Sequence, residues 1–167
     1  NYAGSTVATS LTSFDSDGFT VGAQVGTNTA DSPMVSWNWK ANGTGSANTD
    51  GDMAETVTVS ANVDAGFSIV TYTGDGSVAT VGHGLSKAPE MIFVKQLNTN
   101  QSWIVYANAG GLLDETDIMI LNDTSYPTDS AAYWNDTAAT SSVFTLGTHA
   151  QVNDDDATYV AYCFHSV

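Results

Sequence analysis

Short runs of β-branched and aromatic residues, each closed within a few positions by Gly, Asn, Asp or Ser, recur along the whole chain, and almost none has the 3.6-residue period of a helix. That punctuation leaves room for strands and turns and little else. Strands are expected near residues 19–24, 34–40, 55–62, 67–73, 90–96, 102–107, 117–121, 142–146 and 158–165, with one helix-like turn around 111–115. In Val35-Ser36-Trp37-Asn38-Trp39 the alternation sets Val35, Trp37 and Trp39 on one side, the side a half-covered sheet would bury in its core. In Met91-Ile92-Phe93-Val94 both sides are apolar, so this strand is expected to be central and packed on both faces. Many short strands without alternating helices predict an all-β fold, an antiparallel β-sandwich of jelly-roll or lectin-like type. At 167 residues the chain is one domain, or one domain and a fragment, and can bury roughly 70% of its unfolded surface.

The stretch from Ala41 to Asp52 is polar and Gly-rich, with almost no side chains to bury. A linker is therefore placed at 43–52, between an N-terminal piece, 1–42, and a sandwich domain, 53–167. Forty-odd residues without a disulfide are too few for an independent core. An internal repeat explains the piece: residues 18–42 align without gaps on 143–167, at an offset of 125 (143 minus 18). Phe19-Thr20-Val21-Gly22 falls on Phe144-Thr145-Leu146-Gly147. Asn28, Asp31 and Val35 fall on Asn153, Asp156 and Val160, and Trp37 and Trp39 on Tyr162 and Phe164. Each copy reads as a hairpin, a strand ending in Gly, an acidic turn, then an aromatic strand, so that 1–42 is equivalent to the end of a repeat unit. Its Val35, Trp37 and Trp39 stripe needs covering, since bare apolar surface costs about 25 cal/mol per Å². Either the piece folds back on its own sandwich or it adds strands to a neighbouring subunit, and the reach of the linker favours the neighbour.

Eighteen acidic residues face only Lys40, Lys87 and Lys95, for a net charge of −15. Such a surface repels nucleic-acid backbones and anionic membranes, so neither is an expected partner. So few basic residues also leave almost nothing for trypsin-like proteases, which suits an extracellular place. Cys163 is alone, so no intrachain disulfide can form. No stretch approaches the roughly 18 apolar residues of a membrane span, and the N-terminus lacks a signal-peptide pattern, so a processed or internal start is expected.

Residues able to do chemistry are scattered. Asp15 with Asp17, Asn48 with Asp50 and Asp52, and Asn153 with Asp154, Asp155 and Asp156 offer oxygen ligands for Ca²⁺, the one cofactor worth considering. None has the spacing of a twelve-residue calcium loop, and Asp and Asn are equally the residues of ordinary turns. His83, between two glycines, is a ligand or base on one reading and a turn histidine capping its own loop on the preferred one. His149 and His165 stand apart from it, without zinc spacing. No Gly-x-Ser-x-Gly elbow marks a serine nucleophile, and carboxylate pairs are too numerous to single out a glycosidase site, so no catalytic residue is expected. Tyr126, Tyr133, Trp134 and Asn135, in a stretch at 122–137 that reads as long and irregular, are glycan-contact candidates, because aromatic faces stack on sugar rings; packing over a sandwich end is the preferred alternative. Asn42, Asn100, Asn122 and Asn135 each begin an Asn-x-Ser/Thr sequon.

Taken in order, Ser13-Phe14-Asp15-Ser16-Asp17-Gly18-Phe19, Trp37-Asn38-Trp39-Lys40, the run from Ala65 to Gly74, Val81-Gly82-His83-Gly84-Leu85, Ala88-Pro89-Glu90-Met91-Ile92 and Tyr159-Val160-Ala161-Tyr162-Cys163-Phe164 carry a resemblance over nearly the whole chain. It resembles a repeat family of uncharacterised domains, common in predicted virion proteins of marine and freshwater bacteriophages and often present as tandem copies. The resemblance implies a place and an architecture, and no activity. The expected function is accordingly that of a structural component of an extracellular assembly, a virion surface protein of a tail fibre, appendage or capsid decoration, with copies of itself or other virion proteins as partners. The alternatives are a carbohydrate-binding adhesin module for host-surface glycans, a subunit of a bacterial extracellular filament and, more weakly, a hydrolase domain. Val35, Trp37 and Trp39 are the expected assembly residues.

Overall fold

The computed structural model describes residues 8–111, 113–121 and 123–167. Two compact units divide the chain, a small one, Gly4–Trp39, and a large one containing Lys40–Val167.

In the small unit β1 (Leu11–Phe14) and β2 (Phe19–Val21) form an antiparallel pair, Leu11 opposite Val21 and Phe14 opposite Phe19, with an irregularity between Leu11 and Ser13. Asp15 closes the turn: its N–H donates to the Gly18 carbonyl at 2.9 Å, and its carboxylate accepts from the Ser13 and Thr20 hydroxyls at 3.0 and 2.8 Å. After β2 the chain turns, and residues 33–39 belong to no strand. The strand expected at 34–40 is thus absent, and the stripe expected in the core is exposed, Val35 by 73% and Trp37 by 74%. Alternation states which side a strand would bury. It cannot supply the neighbours that make a strand, and among the described residues no strand ladder includes this segment.

The large unit is an antiparallel sandwich of unequal sheets. Its ten strands are β3 (Ser46–Asn48), β4 (Val57–Asn62), β5 (Phe67–Thr73), β6 (Ala79–Gly82), β7 (Met91–Gln96), β8 (Ile104–Ala107), β9 (Asp117–Ile120), β10 (Thr128–Asp129), β11 (Val143–Leu146) and β12 (Thr158–Phe164). Helix α1 (Ala131–Trp134) precedes β11 and α2 (Ala150–Asn153) follows it. The large sheet runs β10-β9-β8-β7-β12-β5-β4-β3, and β11 pairs with β6 alone. The last strand is therefore central, with Ala161 opposite Val70 on β5 and Val94 on β7. The double-sided β7 is central as expected, between β12 and β8.

The core joins the inward side chains of the large sheet, among them Val59, Val70, Tyr72, Ile92, Val94, Ile104, Tyr106, Tyr159, Ala161 and Cys163, to Ala79, Val81, Phe144 and Leu146 of the small one, with Trp134 and Val152 of the helices. The period-2 pattern of each strand supplies this face, since residues two apart share a side. Segment 43–52, expected as a linker, carries β3, the edge of the large sheet, with Ser46 opposite Val59. Small residues suit it because it is close-packed: a Cβ on Gly51 would stand 2.2 Å from the Thr80 carbonyl oxygen. The unit boundary falls at Trp39, ahead of this segment.

The expected hairpin at 143–167 is also corrected, because β11 and β12 lie in different sheets and α2 carries the chain between them. The repeat itself recurs in the hydrogen bonds. Gly22 N–H donates to the Ser10 carbonyl and Gly147 N–H to that of Tyr133, both at 2.7 Å; Gln24 bonds Thr9 as His149 bonds Ala132. Asn28 N–H reaches the Gln24 carbonyl as Asn153 N–H reaches that of His149, and the side-chain amides of Asn28 and Asn153 donate to the Gly22 and Gly147 carbonyls at 3.1 and 3.2 Å. Ser32 bonds Thr29 as Ala157 bonds Asp154, and Asp31 and Asp156 both take the left-handed conformation, φ 60° and 59°. A Cβ on either glycine would meet a backbone oxygen, Thr9 at 2.4 Å or Ala132 at 2.2 Å.

Gly147→Ala is therefore expected to lose about 3 kcal/mol of stability in urea titration, as overpacking against backbone does. Gly18→Ala, where nothing lies within 4 Å, should leave the midpoint almost unchanged.

Candidate functional site

The outer face of the large sheet carries a row of aromatic rings. Residues 67, 162 and 164 stand across β5 and β12 in register, Phe67 opposite Phe164 and Ile69 opposite Tyr162, and Phe93 on β7 faces Tyr162 from the other side. Trp103 stacks on Tyr162 at 6.1 Å between ring centres, Tyr162 on Phe67 at 6.4 Å, Phe67 on Phe164 at 5.0 Å, and Phe93 meets Phe164 edge-on at 5.6 Å. Beside them Val105, Ala107 and Leu113 form a second buried cluster with Met91, Phe93 and Met119. The centre of the sheet is thus lined with apolar side chains on both faces, and Lys95, two residues from Phe93 on β7 and opposite Val160, shares the outer one. It is buried, with Nζ donating to the Gln101 carbonyl at 2.7 Å, and that burial lowers the ammonium pKa. Phe67 is buried and the other rings are half-buried, so the row ties β5, β12 and β7 together from the outer side. Sequence reasoning missed it, although Val160-x-Tyr162-x-Phe164 already contains the pattern.

Groups suited to catalysis are tied down in the structure. Burial pushes the fully enclosed Cys163 thiol up to about 12, which keeps it protonated. Tyr159 donates to the Ala150 carbonyl at 2.6 Å and accepts from Asp154 N–H at 2.7 Å, while Tyr72 donates to the Val152 carbonyl at 2.7 Å. Stacked at 5.0 Å, these two tyrosines fasten α2 to the sheet. His83 caps its own loop: Leu85 N–H donates to Nδ1 at 3.1 Å, which leaves Nε2–H to donate to the Thr140 carbonyl at 3.1 Å.

Protonating His83 would place two hydrogens face to face at Nδ1, and burial, opposed by the Thr140 bond, lowers its pKa below the ordinary 6.5. Burial lowers His149 as well. An unfolded chain then binds more protons than the folded one below that pH. Stability is expected to be full above about pH 6.5 and to fall as the pH drops below it. Thermal melts between pH 7.5 and 5 should show a declining midpoint, with a shallower decline in His83→Gln; equal slopes would contradict this role of His83.

The acidic candidates are not brought together. Among the described residues no three His, Cys, Asp or Glu side chains converge as a metal site would require. Asp15 locks the β1–β2 turn, and Asp17 lies within it. Asn48 exchanges two bonds with Asp50, at 2.9 and 3.0 Å, while Asp52 accepts from the Thr80 N–H and hydroxyl, each at 2.5 Å, bonds that hold its carboxyl below the usual range. Asp154, Asp155 and Asp156 are exposed in the turn before β12, whereas their neighbour Asn153 is fully buried.

The aromatic glycan candidates separate too. Trp134 is core, 1% exposed and edge-on to Tyr106 at 5.6 Å, so of its two readings packing is the one the structure shows and the sugar platform is not. Tyr133 is half-buried, stacked on His149 at 4.1 Å with its hydroxyl donating to Gln151 at 2.8 Å. Asn135 ends α1 in the left-handed conformation, and Tyr126 alone of the four presents an open ring. The stretch expected to be irregular holds β10 and α1; the sequon residue Asn122 lies outside the described residues. Among the described residues no helix is long and apolar enough to cross a membrane.

Sheet, core and outer aromatic row together define an all-β, antiparallel sandwich protein. The chain belongs to DUF7483, a family of domains of unknown function, which matches it over residues 1–167. No curated protein and no solved structure matches it.

Proposed function

We propose that the protein is a structural component of an extracellular assembly, a bacteriophage virion surface protein of a tail fibre, appendage or capsid decoration, held to its neighbours by β-sheet packing. The observation that carries this reading is the closing turn that occurs twice with the same hydrogen bonds, once leading into the central strand β12 and once into the exposed segment 33–39. A chain that repeats the end of its own domain, and leaves apolar side chains such as Val35 and Trp37 on the second copy exposed, is built to join units. A net charge of −15 and the absence of arginine fit a surface that stays dispersed and resists proteolysis outside the cell. A glycan-binding role retains little support once Trp134 is in the core.

Immunogold labelling of purified virions with antibodies against the large unit tests the proposal. Gold on the outside of intact particles is expected, and label confined to the particle-free fraction would contradict it.

A further inference from the structure

We propose that residues 8–39 are the closing segment of a second sandwich of this same kind. Within it, residues 33–39 form the central strand of the large sheet, flanked by a partner segment with the sequence pattern of residues 43–125. This deepens the assembly reading above and rests on it.

The shared hydrogen bonds fix the correspondence. From the turn bond Asp15–Gly18, matched by Thr140–Val143, through Ser32–Thr29, matched by Ala157–Asp154, the bonds within residues 15–32 keep the offset of 125, while the two that reach back to Ser10 and Thr9 fall on Tyr133 and Ala132, an offset of 123 (133 minus 10). Carried seven residues further, from Ser32 to Trp39, that register sets residues 33–39 on 158–164, which is β12. β12 lies between β5 and β7 and pairs with both along its length. By that register the segment takes the place of a strand with two neighbours, and in this structure no strand is assigned to it.

The side chains fit the same place. Val35, Trp37 and Trp39 fall on Val160, Tyr162 and Phe164, the outer side of β12, where Tyr162 stacks between Trp103 and Phe67. Met34, Ser36 and Asn38 fall on Tyr159, Ala161 and Cys163, the inner side. Likewise β2 falls on β11, whose partner β6 lies within 43–125; in this chain β2 pairs with β1 instead. The missing strands, equivalents of β3 to β9, are all contained in a segment patterned like 43–125. A second identical chain is a poor occupant, because its own β12 fills the slot with Tyr159, Ala161 and Cys163 fully buried. Intramolecular pairing also holds that strand at a high effective concentration.

The test joins residues 43–125 directly to the N-terminus of the full chain and follows amide hydrogen exchange by mass spectrometry. In the extended protein residues 33–39 should exchange as slowly as 158–164, more than about 100-fold slower than in the unextended chain. Trp37→Asp in the extended protein should return 33–39 to fast exchange and leave 158–164 protected. Fast exchange at 33–39 beside a protected 158–164 would overturn the proposal. So would protection of 33–39 in the unextended chain on concentration-dependent association, which would name an identical copy as the occupant. Should the joined protein aggregate, tagged 43–125 is co-expressed with the full chain: recovery of the full chain, lost on Trp37→Asp, supports the proposal, and no recovery overturns it. Failure here leaves the virion assignment standing, because particle labelling is independent of the occupant.

Discussion

Trp134→Ala is expected to lose about 4 kcal/mol of folding stability, the scale for deleting a buried tryptophan. The ring is 1% exposed and sits in the main core, edge-on to Tyr106. It comes from a four-residue helix whose carbonyls also receive the chain after β11: Gly147 N–H bonds Tyr133 and His149 N–H bonds Ala132. Removing the indole therefore empties the core and loosens the turn that leads to α2. A chemical-denaturation midpoint well below wild type is the expected readout. Wild-type stability, with a loss confined to sugar binding, would show that the side chain serves a glycan site after all.

Asn153→Ala should be nearly as damaging, by about 2–4 kcal/mol, because it orphans several buried groups at once. The fully buried side chain donates to the Gly147 carbonyl at 3.2 Å, to Asp75 at 3.3 Å and to the Ser77 carbonyl, and accepts from Asp75 N–H at 3.0 Å. It ties the turn after β5 to the turn before β12. Among the described residues the side chain of its counterpart Asn28 makes the glycine bond alone, and it is exposed, so Asn28→Ala should shift the melting midpoint of the large unit little. Equal effects of the two substitutions would contradict the roles assigned to them.

What was legible in the sequence was what the chain decides locally. The strand at 67–73 and the double-sided β7 declare themselves through β-branched and aromatic runs. The repeat could be read because glycine is needed where Gly22 and Gly147 approach a carbonyl, and asparagine where a side chain bonds back to that glycine. Sheet membership was not legible. Phe144-Thr145-Leu146 and Tyr159-Val160-Ala161 look like two arms of a hairpin, yet their partners are β6 and the β5–β7 pair, chosen by distant residues. β3, reading Ser-Ala-Asn, and β6, reading Ala-Thr-Val-Gly, were passed over because their small or few apolar side chains give no alternation to count. For the site, Asp and Asn clusters signal turns and cation loops alike, and only the bonds to Thr80, Thr20 and Ser13 separate the uses. Trp134 stayed between a glycan contact and packing because its one-turn helix is too short for a period to show.

Hydrogen exchange on the protein inside its native particle, set beside the isolated chain, tests the central claim most directly. The account expects residues 33–39 to exchange fast in the isolated chain and as slowly as 158–164 in the particle, since there they become an internal strand. Equally fast exchange of 33–39 in both states would contradict assembly through this strand.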